Sequence, residues 1–217
     1  MVYKQHSFSS YFTTHSHGFC RGLNLTSLVM KALIAFVFLQ ACHLGLSIET
    51  APYNVTNIAD AYEERVYPAR KWASTFNSGS DNDLFNKLFN YIDGHNDAAV
   101  KIDMTAPVTI LTVPCQGLKC ATNYTMSFYV PAAHQDNPPT PTNPDVYIED
   151  RPQLHLFSRR FHGFASHQDY LDNASQLQND LEKAGIEGVN FDTFYAVGYD
   201  SPFVIIGRNN EVWFMKE

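Results

Sequence analysis

The chain has 217 residues, which is the length of one domain or of two small ones. Its first 47 residues contain no Asp or Glu, so all 22 acidic residues lie in 48–217 and outnumber the 15 Lys and Arg of the whole chain. Such a surface repels phosphate backbones and anionic lipid, and no basic stripe with interleaved aromatic residues offsets it. The composition therefore argues against binding to nucleic acid or to an anionic membrane.

Residues 1–47 have the pattern of an N-terminal extension followed by a secretory signal peptide. Lys31 precedes a continuous apolar run of eight residues, and Gly45-Leu46-Ser47 offers small residues at the spacing that a signal peptidase needs. The run is shorter than the roughly 20 apolar residues of a membrane span. We therefore expect a secreted, extracellular protein that is cleaved near Ser47.

The mature part, 48–217, is then a single domain without a membrane span. Two questions stay open for the residues before it. The first is where the signal peptide starts, which is either Met1 or Met30, since Met30 directly precedes the basic residue of a compact signal. The second is whether the apolar run belongs to a signal peptide at all, because a buried N-terminal helix is the alternative.

Two amphipathic helices are predicted, with the same kind of start and stop. The segments 80–83 and 166–169 have the Ser-x-x-Asp form of a helix-capping start, and Gly94 and Gly185 end the periodic stretches. Apolar residues recur between them at helical spacing. They are Leu84, Phe85, Leu88, Phe89 and Ile92 in the first helix, and Tyr170, Ala174, Leu177, Leu181 and Ala184 in the second.

Each predicted helix follows one strand and precedes two more. The strands are 70–76, 108–113 and 124–130 around the first helix, and 154–164, 194–199 and 211–215 around the second. This pattern predicts an α+β fold built from a pseudo-twofold duplicated β-α-β-β unit of about 75–80 residues. Its antiparallel sheet would curl into an open, distorted β-barrel with the two helices on its flanks.

Secretion gives meaning to two further features of the mature part. Only Cys115 and Cys120 remain after removal of the leader, and an even count in an oxidising compartment predicts one short-loop disulfide, with two free thiols as the alternative. Asn54, Asn123 and Asn173 each begin an Asn-x-Ser/Thr sequence. We therefore expect N-glycosylation at one or more of these three positions.

Six sequence blocks then occur in the order found in one known family. They are Tyr62–Tyr67, Met104–Val108 (Met-Thr-Ala-Pro-Val), Asp145–Arg151, Phe161–Phe164, Tyr195–Pro202 and Arg208–Trp213. Together they resemble the SOUL family of heme-binding proteins over about residues 52–217. The resemblance implies a pseudo-twofold distorted barrel with two helices packed outside it.

The resemblance also implies a ligand, which is heme or a related porphyrin held non-covalently in an apolar groove. One branch of the family has a histidine just before the second tyrosine of the opening block, where this chain has Val66. The resemblance therefore implies binding without an axial histidine. Candidate apolar contacts are Leu84, Leu88, Phe89 and Met104, and candidate partners of the propionates are Arg70, Lys71 and Lys101. The alternative for these residues is an ordinary core and a solvated surface.

Nothing in the sequence indicates catalysis. The chain has no Gly-x-Ser-x-Gly, no His-Glu-x-x-His and no glycine-rich phosphate loop, and the histidines of 48–217 lie in neither Cys-x-x-Cys-His nor His-x₃-His spacing. We therefore predict a non-enzymatic binding protein without a metal site of its own. The alternative is a protein-interaction module on the same scaffold that has lost ligand binding. An enzyme that acts on a tetrapyrrole is a more distant third possibility.

Overall fold

The computed structural model describes residues 48–78, 83–114, 121–200, 204 and 207–217. The predicted leader, Cys115 and Cys120 lie outside the described residues. The helices are α1 (Leu84–Ile92) and α2 (His167–Lys183). The strands are β1 (Glu49–Thr50), β2 (Asn54–Ile58), β3 (Glu63–Tyr67), β4 (Arg70–Ser78), β5 (Thr105–Ala106), β6 (Val108–Pro114), β7 (Ala121–Tyr129), β8 (Val146–Arg151), β9 (Leu154–His162), β10 (Val189–Gly198) and β11 (Asn209–Lys216).

Nine of these strands form one antiparallel sheet in the order β2-β3-β9-β11-β10-β6-β7-β4-β8. A short parallel pair, β1 and β5, lies outside it. Within the part of the chain that the structure describes, the end strands β2 and β8 do not pair with each other, so the sheet is open. The predicted α+β class, with two helices and a large antiparallel sheet, is confirmed, whereas the predicted duplication and the curling of the sheet into a distorted barrel are not.

The two helices begin differently, although their predicted starts had the same form. Ser166 caps α2 as predicted: its hydroxyl accepts a hydrogen bond from the Asp169 backbone N–H at 3.3 Å, and the Asp169 carboxylate accepts one from the Ser166 N–H at 2.7 Å. In α1 the residue before the helix is Asp83, which has a left-handed φ of 70° and makes no side-chain cap. The first three residues of the predicted cap, 80–82, lie outside the described residues.

Both helices pack on the same face of the sheet. Ala196 on β10, Ile110 on β6 and Met126 on β7 are direct cross-strand neighbours, so their side chains share one face. Ala196 belongs to the core cluster under α2, Met126 belongs to the cluster under α1, and Ile110 packs against both. We call this the outer face. A third cluster, which contains Trp72, Leu156 and Trp213, lies on the opposite, inner face.

The apolar core follows the predicted helical periodicity. The fully buried residues of α2 are Leu171, Ala174, Leu177 and Leu181, and those of α1 are Leu84, Leu88, Tyr91 and Ile92. Burial of each leucine stabilises the fold by about 1.5–3 kcal/mol before conformational entropy is counted. Neither described helix is long and apolar enough to cross a membrane.

Candidate functional site

Two aromatic side chains on α1 stand out of the core. Phe85 and Phe89 lie one turn apart, and 37% and 45% of their accessible surface is exposed to solvent. Their rings stack with centroids 5.9 Å apart and an interplanar angle of 16°. Beneath them, the Phe85 ring meets the buried Phe128 of β7 edge to face at 5.4 Å. One flat side of α1 is therefore aromatic, held from below and open to solvent.

Three further apolar residues are half-buried beside the core cluster that contains Phe128. Met104, Val108 and Ile110 pack against the core cluster under α1. We call the five residues Phe85, Phe89, Met104, Val108 and Ile110 the α1 surface. The stacked pair of exposed aromatic rings makes the α1 surface a candidate binding site.

A cation lies at the C-terminal end of α1. The Lys101 Nζ contacts the Asp93 Oδ1 at 2.7 Å, and the Lys101 side chain is 80% exposed. Asp93 follows the last residue of the helix and stands one turn after Phe89, on the same side. The hydrogen bond from Lys101 lowers the pKa of Asp93. An exposed pair of this kind is weak, so an anionic ligand can compete with Asp93 for the ammonium group.

The structure brings five of the seven predicted ligand contacts together around α1. Phe89, Met104 and Lys101 are accessible there, whereas Leu84 and Leu88 lie beneath the helix, fully enclosed in the core. Whether a ligand touches any of the five stays a prediction. Sequence reasoning missed Phe85 as a surface residue, although its spacing of four from Phe89 was the available signal.

The other two predicted contacts, Arg70 and Lys71, lie at the β8 end of the sheet. Both line an open pocket of about 320 Å³ together with Gln135, Asp136 and Asp150. The Lys71 ammonium pairs with the Asp150 carboxylate. The pocket therefore presents carboxylates as well as cations.

The inner face holds a buried ion pair between strands β3 and β11. Arg65 of β3 and Glu211 of β11 are 1% and 0% exposed, and they share two hydrogen bonds of 2.8 and 3.1 Å. The Glu211 Oε2 also accepts hydrogen bonds from the Tyr199 hydroxyl at 2.9 Å and from the Trp213 Nε1 at 2.8 Å. Burial by itself would raise the pKa of Glu211, but these bonds outweigh it and hold that pKa below its ordinary range.

A second buried arginine occupies the other half of the inner face. Arg151 of β8 donates to the Ser127 hydroxyl at 2.8 Å and to both oxygens of Glu149, and it stacks over the Trp72 ring at 4.3 Å. Glu149 in turn accepts a hydrogen bond from the Ser74 hydroxyl at 2.7 Å. The buried arginines of the inner face are thus bonded to carboxylates of the same face.

Sequence reasoning did not find these inner-face networks. Their only signal was the repetition of Glu-x-Arg at 63–65 and 149–151, within two of the blocks on which the family resemblance rests.

Comparison with known proteins gives the family. A family model described as SOUL heme-binding protein matches residues 48–215. The chain belongs to the SOUL family. Heme-binding protein 2 of Mus musculus is 38% identical over 172 residues, covering 77% of this chain and 83% of the relative. Heme-binding protein 2 of Homo sapiens is 38% identical over 174 residues with the same coverage. Heme-binding protein 1 of Sus scrofa is 32% identical over 179 residues, covering 78% and 94%.

Among solved structures, the C-terminal domain of EcmrR superposes with a TM-score of 0.52 at 11% identity, covering 76% of this chain and 98% of that domain. At this identity the likeness concerns the fold alone. The fold of this SOUL chain therefore also occurs in a protein of very different sequence.

The SOUL signature Met-Thr-Ala-Pro-Val lies beside the α1 surface, and two of its residues belong to that surface. Met104 and Val108 are the first and last residues of the string. Thr105 between them donates a hydrogen bond from its hydroxyl to the Tyr129 carbonyl at 2.6 Å. Pro107 separates β5 from β6, so the strand predicted at 108–113 begins directly after this proline.

Val66, which stands where the resemblance places a histidine in one SOUL branch, lies on β3 opposite His155 of β9. In the sheet order, β3 lies on the far side of β10 from the β6 and β7 strands under the α1 surface. Among the described residues, no three or more His, Cys, Asp or Glu side chains are grouped so that they could hold a metal ion.

The three predicted glycosylation positions fall in different environments. Asn54 is exposed on β2, whereas Asn123 on β7 and Asn173 on α2 are half-buried. The predicted Cys115–Cys120 disulfide falls in the undescribed segment between β6 and β7 and stays a prediction.

Proposed function

We propose that the chain binds heme or a related porphyrin non-covalently in an apolar groove formed by the α1 surface, without an axial histidine. The observation that carries this proposal is the exposed stack of Phe85 and Phe89 with Lys101 at its end, in a chain whose relatives are named heme-binding proteins. Heme is a flat apolar ring with two propionates. Aromatic side chains offer apolar contact to the ring, and an exposed ammonium group offers a charge-assisted hydrogen bond to a propionate.

This mode of binding is suited to reversible holding rather than to chemistry on the iron. The five residues of the α1 surface include no histidine, and the position of the family histidine lies on a distant strand. The protein then controls the ligand through apolar contact and one or more cations. We therefore propose a binding function and not an enzymatic one.

Titration of hemin into the purified chain, followed by the Soret band, tests the proposal. We expect a saturable shift at micromolar hemin, and we expect Phe85→Ala with Phe89→Ala to weaken binding about 10-fold or more. The matched control is Phe76→Ala, because Phe76 is 51% exposed but lies on β4 two residues after Ser74 and so faces the inner side. Absence of a saturable shift would exclude heme binding and favour the alternative, an interaction module that has lost its ligand.

The predicted contacts between cations and the heme propionates can be tested separately. We expect Lys101→Ala to weaken hemin binding about 2- to 5-fold, since one exposed charge contact is removed. Lys183→Ala, an exposed cation at the end of α2, is the matched control. Arg70→Ala with Lys71→Ala tests the other predicted propionate contacts. A larger loss in that double variant than in Lys101→Ala would move the propionate site to the β8 end of the sheet.

We propose further that the protein is secreted, with residues 1–47 removed near Ser47. The apolar run after Lys31 supports this, as do the three glycosylation sequences of the mature part. A disulfide between Cys115 and Cys120 would then close the loop between β6 and β7, which end and begin next to these residues.

We also propose that the domain arose by duplication of a β-α-β-β unit. Around α1 the strands are ordered β6-β7-β4, and around α2 they are ordered β10-β11-β9, with β6 and β10 paired at the junction. In each half, the strand before the unit carries a Glu-x-Arg sequence whose arginine is buried on the inner face, namely Arg65 and Arg151. Equal strand order and equal placement of these arginines support the proposal.

A further inference from the structure

Among the residues that the structure describes, strand β2 is an open edge of the large sheet. It pairs with β3 on one side only, and all five of its residues are exposed. An edge strand presents unpaired backbone N–H and C=O groups to which a second chain can add. Val55 and Ile58 are 43% and 74% exposed on the same strand, so apolar side chains accompany the free backbone groups. This edge needs protection in a protein that remains monomeric.

Strand β2 contains one feature that protects such an edge, a β-bulge. The register between β2 and β3 shifts between Val55 and Asn57, so Thr56 is the extra residue of a bulge. The Thr56 hydroxyl donates a hydrogen bond to the Glu64 carbonyl at 3.2 Å. Thr56 is also the third residue of the glycosylation sequence that begins at Asn54.

Asn54 is free to carry a glycan in the folded protein. Its side chain is exposed and makes no hydrogen bond with the described residues. A glycan on its amide would project from a face of the edge strand into solvent. Because a glycan is bulky, it would hinder the approach of another strand to this edge.

Asn173 is in the opposite situation. Its amide nitrogen, the atom that would carry the glycan, donates to the Asp169 carbonyl at 2.8 Å. Its oxygen accepts from the Arg159 Nε at 3.3 Å, and Arg159 is also paired with Asp180. A glycan at this half-buried position would disturb the contact between α2 and β9.

Asn123 lies inside the sheet. It pairs with Ser78 of β4 on one side and with Val113 of β6 on the other, so a glycan there would cover no free edge.

We propose that Asn54 carries an N-linked glycan that covers the β2 edge and keeps the protein monomeric, and that Asn173 is unmodified. The inference rests on the proposed secretion, because only a chain that enters the secretory pathway meets the glycosylation machinery. The glycan and the Thr56 bulge act together, since the bulge disturbs the edge and the glycan occupies the space beside it.

Expression of the full chain in secreting eukaryotic cells tests the inference. Protein from the medium is treated with a peptide N-glycosidase in heavy-oxygen water, which labels each residue that carried a glycan, and is then mapped by mass spectrometry. We expect the label at Asn54 and none at Asn173. We also expect Asn54→Gln to lose one glycan by gel mobility, and Asn173→Gln, the matched control, to keep the mobility of the wild type.

The outcomes separate the inference from the proposal on which it rests. Secreted protein without label at Asn54 overturns the inference and leaves secretion intact. A chain that stays in the cytosol without any label overturns secretion and the inference together. Size-exclusion chromatography with light scattering then tests the role of the glycan. We expect part of the Asn54→Gln protein to shift to larger species, and a purely monomeric Asn54→Gln protein would overturn the protective role.

Discussion

Replacement of Arg65 by alanine is expected to lower the free energy of unfolding by about 3–5 kcal/mol. The substitution leaves the carboxylate of Glu211, which is fully buried, without its bidentate partner. The Tyr199 hydroxyl and the Trp213 indole still donate to that carboxylate, but neither carries a charge. Arg160 remains as a charged partner at 3.2 Å, but its side chain is 50% exposed. The large loss therefore comes from a buried charge that has lost its only buried cation among the described residues.

Urea unfolding of the purified variant, followed by the fluorescence of the tryptophans, measures this loss. Arg160→Ala is the matched control, because Arg160 also pairs with Glu211, at 3.2 Å, but its side chain is 50% exposed. We expect the control to lose about 1 kcal/mol or less. Equal losses in the two variants would show that burial does not set the strength of this pair.

The same pair predicts how the stability of the protein responds to acid. The bonds to Glu211 hold its folded-state pKa below the ordinary value of 4.5 despite its burial. A depressed pKa gives a contribution that is fully present above the unfolded-state value and is lost as pH falls through the folded-state value. Removal of Arg65 takes away the largest of the bonds that offset the burial of Glu211, so we expect its pKa to rise in the variant and protonation to relieve the weakly compensated charge. The deficit of the variant should thus be smaller near pH 4 than near pH 7.

The sequence predicted the local features of the fold better than the non-local ones. The two helices and the Ser166 cap depend on residues that are close in sequence, and each is confirmed. The order of the strands depends on pairing between distant segments, such as β10 with β6, which no local pattern specifies. The open sheet is a consequence of that pairing.

The same distinction explains what was missed at the candidate site. Helical spacing indicates that Leu84, Phe85, Leu88 and Phe89 lie toward one side of α1, but it does not show where the neighbouring strands stop. The sheet encloses Leu84 and Leu88 and leaves the two phenylalanines open. The Arg65–Glu211 pair joins residues 146 positions apart, and the charge of either residue alone indicates solvent exposure.

Leu88→Ala and Phe89→Ala are neighbouring changes on α1 that are expected to affect different properties. Leu88→Ala should mainly lower the stability of the fold, and Phe89→Ala should mainly lower the affinity for hemin. Leu88 is 0% exposed and packs in the cluster with Leu84 and Phe128, so its truncation is expected to cost about 2–5 kcal/mol of unfolding free energy. Phe89 is largely outside that cluster, and its truncation is expected to cost about 1 kcal/mol or less. Chemical unfolding of both variants without ligand measures these two values.

Hemin titration of the same two variants gives the reverse order, provided that affinity is expressed per folded molecule. We expect Phe89→Ala to weaken binding more than Leu88→Ala, since only Phe89 offers its ring to a ligand on the α1 surface. Leu88 supports that surface from below. If Leu88→Ala weakened binding as much as Phe89→Ala, the ligand would have to reach Leu88 directly. Helix α1 would then have to move away from β4 and β7 when heme binds, because its buried face is closed in the free protein.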